Sequence, residues 1–173
     1  MKKKYGRRNF INTAIAGGIG LGLSNSFSAL YAQKKKKKKR IGIIGLDTSH
    51  SIAFTKALNA AGASADFKGY KVVAAYPKGS NDIISSAERI PGYTEEVKKL
   101  GVEIVSSIKE LLKKTDYILL ETNDGRLHLQ QALEVIKAGK PMFIDKPIAA
   151  SLKDAVAIFK AAEQNNVPVF SSS

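Results

Sequence analysis

The chain has 173 residues, 44% hydrophobic and 25% charged, the composition of a globular protein with room for one domain and a tail. Its net charge of +13 would suggest a nucleic-acid partner, but twelve of the 28 basic side chains and none of the 15 acidic ones fall in residues 1–40. That leaves 16 basic against 15 acidic in residues 41–173, so no nucleic acid is expected; the absence of cysteine excludes disulfides, thiolate metal sites and a cysteine nucleophile.

Residues 1–32 read as an export signal. A basic start leads into Gly6-Arg7-Arg8-Asn9-Phe10-Ile11-Asn12, the mild apolar segment Ala14 to Leu23, and a small-residue region ending Ser28-Ala29-Leu30-Tyr31-Ala32. The apolar run is shorter than the roughly 20 residues a membrane span needs, so no stable anchor is expected. Paired arginines followed by Phe10 and Ile11 resemble the bacterial twin-arginine motif, which points to the periplasm, with cleavage expected after Ala32. An ordinary secretory signal or a basic tail is the competing reading. Residues 33–40 are expected to be a solvated, disordered charge run.

From Ile41 onward short apolar runs alternate with helical stretches, which predicts a doubly wound, mostly parallel α/β sheet of about six strands. Strands are expected at Ile41 to Gly45, Lys71 to Tyr76, Glu103 to Val105, Tyr117 to Leu120, Pro141 to Ile144 and Val167 to Phe170. The fourth is wholly apolar and hence central. Helices are expected over Ser51 to Ala61, Tyr93 to Leu100, Ser107 to Lys114, Leu127 to Ala138 and Ser151 to Asn165. Ser107 with Glu110, and Ser151 with Asp154, have the spacing of a capping box. Pro77 to Gly92, punctuated by Gly79, Pro91 and Gly92, reads as a long loop holding at most one short helix.

In such a sheet ligands bind beyond the carboxyl ends of the strands, and four loops there hold nearly all the unusual polar residues. The first follows Arg-Ile-Gly-Ile-Ile-Gly-Leu-Asp-Thr-Ser-His, a strand–turn–helix layout typical of dinucleotide binding. If Gly45 is the first glycine of G-x-G-x-x-G, Asp47 and His50 hold the second and third positions. Leu46 completes the turn, and Thr48 and Ser49 offer hydroxyls beside a helix amino terminus that attracts anions. Asp47 or Thr48 could equally cap that helix, and His50 could bind ligand or orient Asp47. The second loop, Tyr76-Pro77-Lys78-Gly79-Ser80, lacks the acidic residue that usually meets the adenosine ribose; Lys78 and Ser80 could accept a 2′-phosphate or be plain turn residues.

The third loop gathers Glu121, Thr122, Asn123, Asp124, Arg126 and His128 after a buried strand, with Asn123 or Asp124 a candidate helix cap. Its spacing matches no metal motif, and no metal is expected. The fourth is Asp145-Lys146-Pro147. A lysine fixed between a strand end and a proline faces the crevice, where its ammonium can hold a substrate oxygen and stabilise negative charge; Asp145 would keep it charged.

The run Gly139-Lys140-Pro141-Met142-Phe143-Ile144-Asp145-Lys146-Pro147 resembles the Gly-Lys-His-Val-x-x-Glu-Lys-Pro signature of the Gfo/Idh/MocA oxidoreductases, over about Arg40 to Ser173. The resemblance implies a Rossmann-type NAD- or NADP-binding domain and a sugar-like or polyol substrate. It makes Lys146 the catalytic residue that contacts substrate and nicotinamide, and places His128 at the histidine of the family's Thr-Pro-x-x-x-His segment. The cofactor residues it suggests are Gly45, Leu46, Asp47, Thr48, Ser49, His50, Tyr76, Lys78, Glu121, Thr122, Asn123, His128, Asp145, Lys146 and Pro147. Asp145 in place of glutamate, and Asp47 and His50 in place of glycines, depart from the pattern. The family's carboxyl-terminal substrate domain has no counterpart before Ser173, so turnover is not expected from the chain alone, and homo-oligomerisation is left to the full-length protein. Two readings follow: the nucleotide-binding domain of an exported oxidoreductase, or an exported Rossmann-fold protein that binds another ligand.

Overall fold

The computed structural model describes residues 39–172. The expected leader, its cleavage point and the basic segment up to residue 38 lie outside the described residues. Six strands alternate with five α-helices: β1 (Arg40–Ile44), α1 (Ser49–Asn59), β2 (Lys71–Tyr76), α2 (Ile84–Lys99), β3 (Glu103–Ile104), α3 (Ile108–Lys114), β4 (Tyr117–Leu120), α4 (Gly125–Lys137), β5 (Met142–Ile144), α5 (Leu152–Gln164) and β6 (Val169–Ser171). All strand pairings are parallel and the order is β3-β2-β1-β4-β5-β6. The predicted doubly wound sheet is therefore the observed one, with β1 and β4 at its centre.

Alternation along the strands divides the core between two faces. Ile41, Ile43, Val72 and Ala75 pack with Ile52 of α1 and Val97 of α2. Ile44, Ile118, Leu120, Met142 and Ile144 pack with Leu111 of α3, Val135 and Ile136 of α4, and Ile158 of α5. Between Ile41 and Gly42 the register against β2 slips by one residue, leaving Val73 as a bulge. Gly42 is needed there for space, because a Cβ would press on Thr115 and Leu111 at 2.9–3.0 Å.

Both predicted capping boxes form at their serines: Ser107 accepts from the Glu110 N–H at 3.2 Å and Ser151 from the Asp154 N–H at 3.1 Å. Glu110 reaches back one residue further than expected, to the Ser106 N–H at 3.0 Å. Two local expectations fail. Arg40 belongs to β1 rather than to a disordered tail, because its guanidinium forks onto Asp116 at 3.0 and 3.2 Å. The region expected as a loop up to Gly92 is largely helix, since α2 starts at Ile84 and runs through Pro91 and Gly92. Both residues are exposed, where water can serve the carbonyl that Pro91 leaves unpaired, and the Thr94 hydroxyl bonds the Ile90 carbonyl at 2.6 Å.

Candidate functional site

The strand order reverses between β1 and β4, and the loops beyond the carboxyl ends of β1, β2, β4 and β5 meet there. Gly45 sets the first of them. Its φ is +90°, and a Cβ would run into the backbone of Thr122, so the β1 turn can lie against the β4 exit only with glycine. The Gly45 and Leu46 N–H groups donate to the Tyr76 and Pro77 carbonyls at 2.9 and 3.2 Å, and the Leu46 side chain is buried. Thr48 caps α1 by accepting from the His50 N–H at 3.2 Å, and Ser49 is exposed on the first turn.

Asp47 turns inward. It exposes no surface; Oδ1 accepts from the Asn123 N–H at 3.0 Å and Oδ2 faces the Ser80 N–H at 3.4 Å. A Cβ on Gly79 would collide with this carboxylate, so the glycine makes room for it. The side chain thus knits the first three loops together, and the capping role belongs to Thr48. Arg89 adds a longer contact, from Nη1 to the Asp47 carbonyl oxygen at 3.5 Å.

The second and third loops are clamped by Arg126. Its guanidinium donates to Asp82 at 2.6 and 3.0 Å and to Asp124 at 2.6 to 3.0 Å. These side-chain bonds hold the Asp124 carboxyl down at about 2, against the opposing effect of its burial, and also lower that of Asp82. Asp124 caps α4 by accepting from the Arg126 N–H at 3.0 Å. Ser80 is buried and its hydroxyl donates to Asp82 at 2.7 Å, so it is not held free for a phosphate. Tyr76 and exposed Lys78 line a cleft of about 220 Å³ with Gln131 and Glu134.

Across β1 the arrangement is different. His50 Nδ1 lies 2.6 Å from Asp145 Oδ2, while Asp145 Oδ1 accepts from the Lys146 N–H at 2.8 Å. Asp145 therefore pairs with His50 and with the lysine backbone, rather than with the ammonium as expected, and His50 is oriented to Asp145 instead of Asp47. Glu121, at the exit of β4, has no exposed surface, and neither carboxyl oxygen has a hydrogen-bond partner among the described residues. Burial, and then the charge of Asp145, push its carboxyl up to about 8. One ligand atom each from His50, Glu121 and Asp145 lie within 4.8 Å of one another. The His50 side chain is 41% exposed and that of Asp145 8%, so the group opens outward through the imidazole. Lys146 and Pro147 are exposed beside it, and no salt bridge among the described residues engages the Lys146 ammonium.

His128 takes another role. It is fully buried, with Nε2 2.6 Å from the Thr122 carbonyl and Nδ1 3.0 Å from the Ile148 carbonyl. Both ring nitrogens are engaged by backbone, so the ring ties the β4 exit to the segment after β5 instead of reaching a ligand. Thr122 is equally buried beneath Gly45, and the Asn123 amide reaches the Ser86 hydroxyl at 3.3 Å. Sequence reasoning passed over Gly125, where a Cβ would meet the Ala149–Ala150 backbone at 2.8 Å, and the Asp82–Arg126–Asp124 clamp. The asparagine–aspartate–glycine cluster was the available signal for the former; nothing local joined Asp82 to Arg126.

Residues 16–173 match the profile of the family described as an oxidoreductase family with an NAD-binding Rossmann fold. Among curated relatives, an uncharacterized oxidoreductase of Streptococcus pneumoniae is 32% identical over 72 residues, covering 40% of this chain and 19% of its own length. A 1,5-anhydro-D-fructose reductase of Ensifer adhaerens is 34% identical over 84 residues, covering 48% of this chain and 25% of its own length. Among solved structures, a dehydrogenase from Clostridium difficile superposes with a TM-score of 0.60 at 18% identity, over 79% of this chain and 39% of that one. The WlbA dehydrogenase from Bordetella pertussis, in complex with NADH and UDP-GlcNAcA, gives 0.59 at 24% identity, over 79% and 37%. These likenesses establish the fold, and the matched stretch spans at most a quarter of the curated relatives' length.

Proposed function

The chain belongs to the Gfo/Idh/MocA oxidoreductase family, as its NAD-binding Rossmann domain, and from that premise we propose that it serves an exported NAD(P)-dependent oxidoreductase acting on a sugar-like or polyol substrate. The single observation that carries the reading is Lys146: an exposed ammonium without an ion pair among the described residues, at the end of β5, its backbone pinned by Asp145, beside the reversal of strand order. The names of two relatives, a 1,5-anhydro-D-fructose reductase and a dehydrogenase bound to UDP-GlcNAcA, support the substrate class. The twin-arginine motif supports export.

The residues fit a dinucleotide on two counts. Gly45 adopts the tight turn that brings a helix amino terminus to the mouth of the sheet, and the exposed first turn of α1 at Ser49 leaves N–H groups for a pyrophosphate. The carboxylate of Asp47, which in sequence would repel phosphate, is turned under the loop. The cleft at Tyr76 and Lys78 lies on the side that takes the adenosine half, where Lys78 is free to meet a 2′-phosphate. NAD(P), when bound, supplies or accepts the hydride. Lys146 holds the substrate oxygen and offsets the negative charge that builds on it; Asp145 positions the lysine through its backbone.

In the protein that carries this chain, NADH and NADPH should each be titrated by fluorescence and thermal shift, with turnover assayed on a panel of keto sugars including 1,5-anhydro-D-fructose. Lys146→Ala is expected to lower turnover about 100-fold or more while leaving cofactor affinity within a few-fold. Absence of binding at millimolar cofactor, or near-normal turnover in the variant, refutes the reading.

A further inference from the structure

We propose that His50, Glu121 and Asp145 form a binding site for a divalent first-row transition cation, with Zn²⁺ and Mn²⁺ as the ions it suits. The three donors come from the first turn of α1 and the exits of β4 and β5, 71 and 24 residues apart along the chain, so no sequence spacing announces them. The fold alone brings their ligand atoms within 4.8 Å.

Glu121 is the reason to look for a ligand at all. A carboxyl group with no exposed surface and no partner for either oxygen has given up its hydration without compensation. It lies against a second, nearly buried carboxylate, Asp145, and the described salt bridges bring no lysine or arginine to either. A divalent ion answers both deficits: it takes the place of the protons the two carboxyl groups would otherwise hold and serves the oxygens of Glu121. One imidazole nitrogen with carboxylate oxygens is a donor set for Zn²⁺, Mn²⁺ or Fe²⁺ rather than for Mg²⁺ or Ca²⁺, which prefer oxygen alone.

The surroundings are arranged as they would be around a ligand set. Asp145 uses Oδ1 for the Lys146 N–H and directs Oδ2 at His50, so its free face is already fixed. The 2.6 Å contact between His50 and Asp145 closes the site without metal, and an ion binding there takes the place of that contact. Three protein ligands leave coordination positions open, and the half-exposed imidazole marks the side open to solvent. An ion here can therefore take an oxygen of a polar ligand that arrives from solvent. None of the site's donors lies in the cleft at Tyr76 and Lys78, on the adenosine side.

The chain has two histidines and no cysteine, so an untagged preparation offers little competition for such ions. The full chain, stripped with EDTA and dialysed, is titrated calorimetrically with ZnCl₂, MnCl₂ and MgCl₂, with a thermal melt at each end point. One equivalent of Zn²⁺ or Mn²⁺ should bind with a raised Tm, and Mg²⁺ at least tenfold more weakly. Glu121→Gln and His50→Ala should each weaken binding tenfold or more, while Asp66→Asn, at an exposed carboxylate elsewhere, leaves it unchanged. Circular dichroism checks folding, and His50→Ala, at a half-exposed position, reads the site even if the Glu121 variant misfolds. No saturable binding at 100 µM Zn²⁺ or Mn²⁺, or unchanged binding in a folded His50→Ala variant, overturns the proposal.

Discussion

Asp47 and Glu121 are both carboxylates without exposed surface, both placed just beyond the ends of the central strands, and they are treated in opposite ways. Asp47 sits among backbone amides from two other loops, in space cleared by Gly79. Glu121 has neither an amide nor a cation. A charge surrounded by donors is a fastening; a carboxyl denied them keeps its proton and is held ready for something else. The contrast extends to their neighbourhoods. On the Asp47 side the loops are locked by hydrogen bonds and the Arg126 clamp, whereas on the Glu121 side the imidazole and the Lys146 ammonium face outward.

The sharpest way to break the fastening is Gly79→Ala. Its methyl group collides with the buried Asp47 carboxylate, and the loss should be about 3 kcal/mol, read from the urea midpoint of the full chain. Asp47→Ala should cost about 2 kcal/mol by stranding the Asn123 and Ser80 amides. A cost near zero for either would mean that the loops are not tied through this side chain.

Glu121→Gln should have the opposite sign. In the unfolded chain Glu121 releases its proton near the ordinary glutamate value, but in the fold it retains it up to about 8, with Asp145 and His50 the groups that face it. Between those two values the folded state binds more protons, so stability in chelator should fall as pH rises and level off above about 8. Glu121→Gln should remove that slope, raising stability most at pH 8 and hardly at all near pH 4. Urea melts across this range would refute the account if the slope persisted in the variant.

The smallest effect belongs to Arg126→Ala, expected to change stability little at neutral pH, because the guanidinium and Asp82 are exposed and screened by water while Asp124 keeps its bond from the residue 126 N–H. Asp124 runs opposite to Glu121: its carboxyl is held near 2, so its contribution is present above the ordinary aspartate value and lost as pH falls toward 2. Acid unfolding of the variant should begin at a higher pH than in the parent chain.

Much of this molecule is readable from its chain. Apolar runs such as Tyr117 to Leu120 have the length and bounds of buried parallel strands, and Ser107 and Ser151 announce their helices through local bonds. The start of α2 escapes because Pro91 and Gly92 break isolated helices, whereas an exposed face with packing at Ser86 and Val97 tolerates them. The position of Lys146 follows from its place after a strand. Its partners do not, because the His50–Asp145 bond spans 95 residues and depends on which strands become neighbours. His128 shows the opposite limit: residue type suggests a ligand contact, and only the carbonyls of Thr122 and Ile148 reveal a tether.

The collision between a Cβ at residue 79 and the carboxylate at residue 47 also has an evolutionary consequence. A side chain at 79 is tolerable only in a lineage that has shortened residue 47, and once 79 has grown, the aspartate cannot return without strain. The two positions should therefore change together across homologues, with the order of substitution fixed: 47 first, then 79. A double-mutant cycle of Asp47→Gly with Gly79→Ala would measure that epistasis directly, as a Gly79→Ala penalty that shrinks when the carboxylate is already gone.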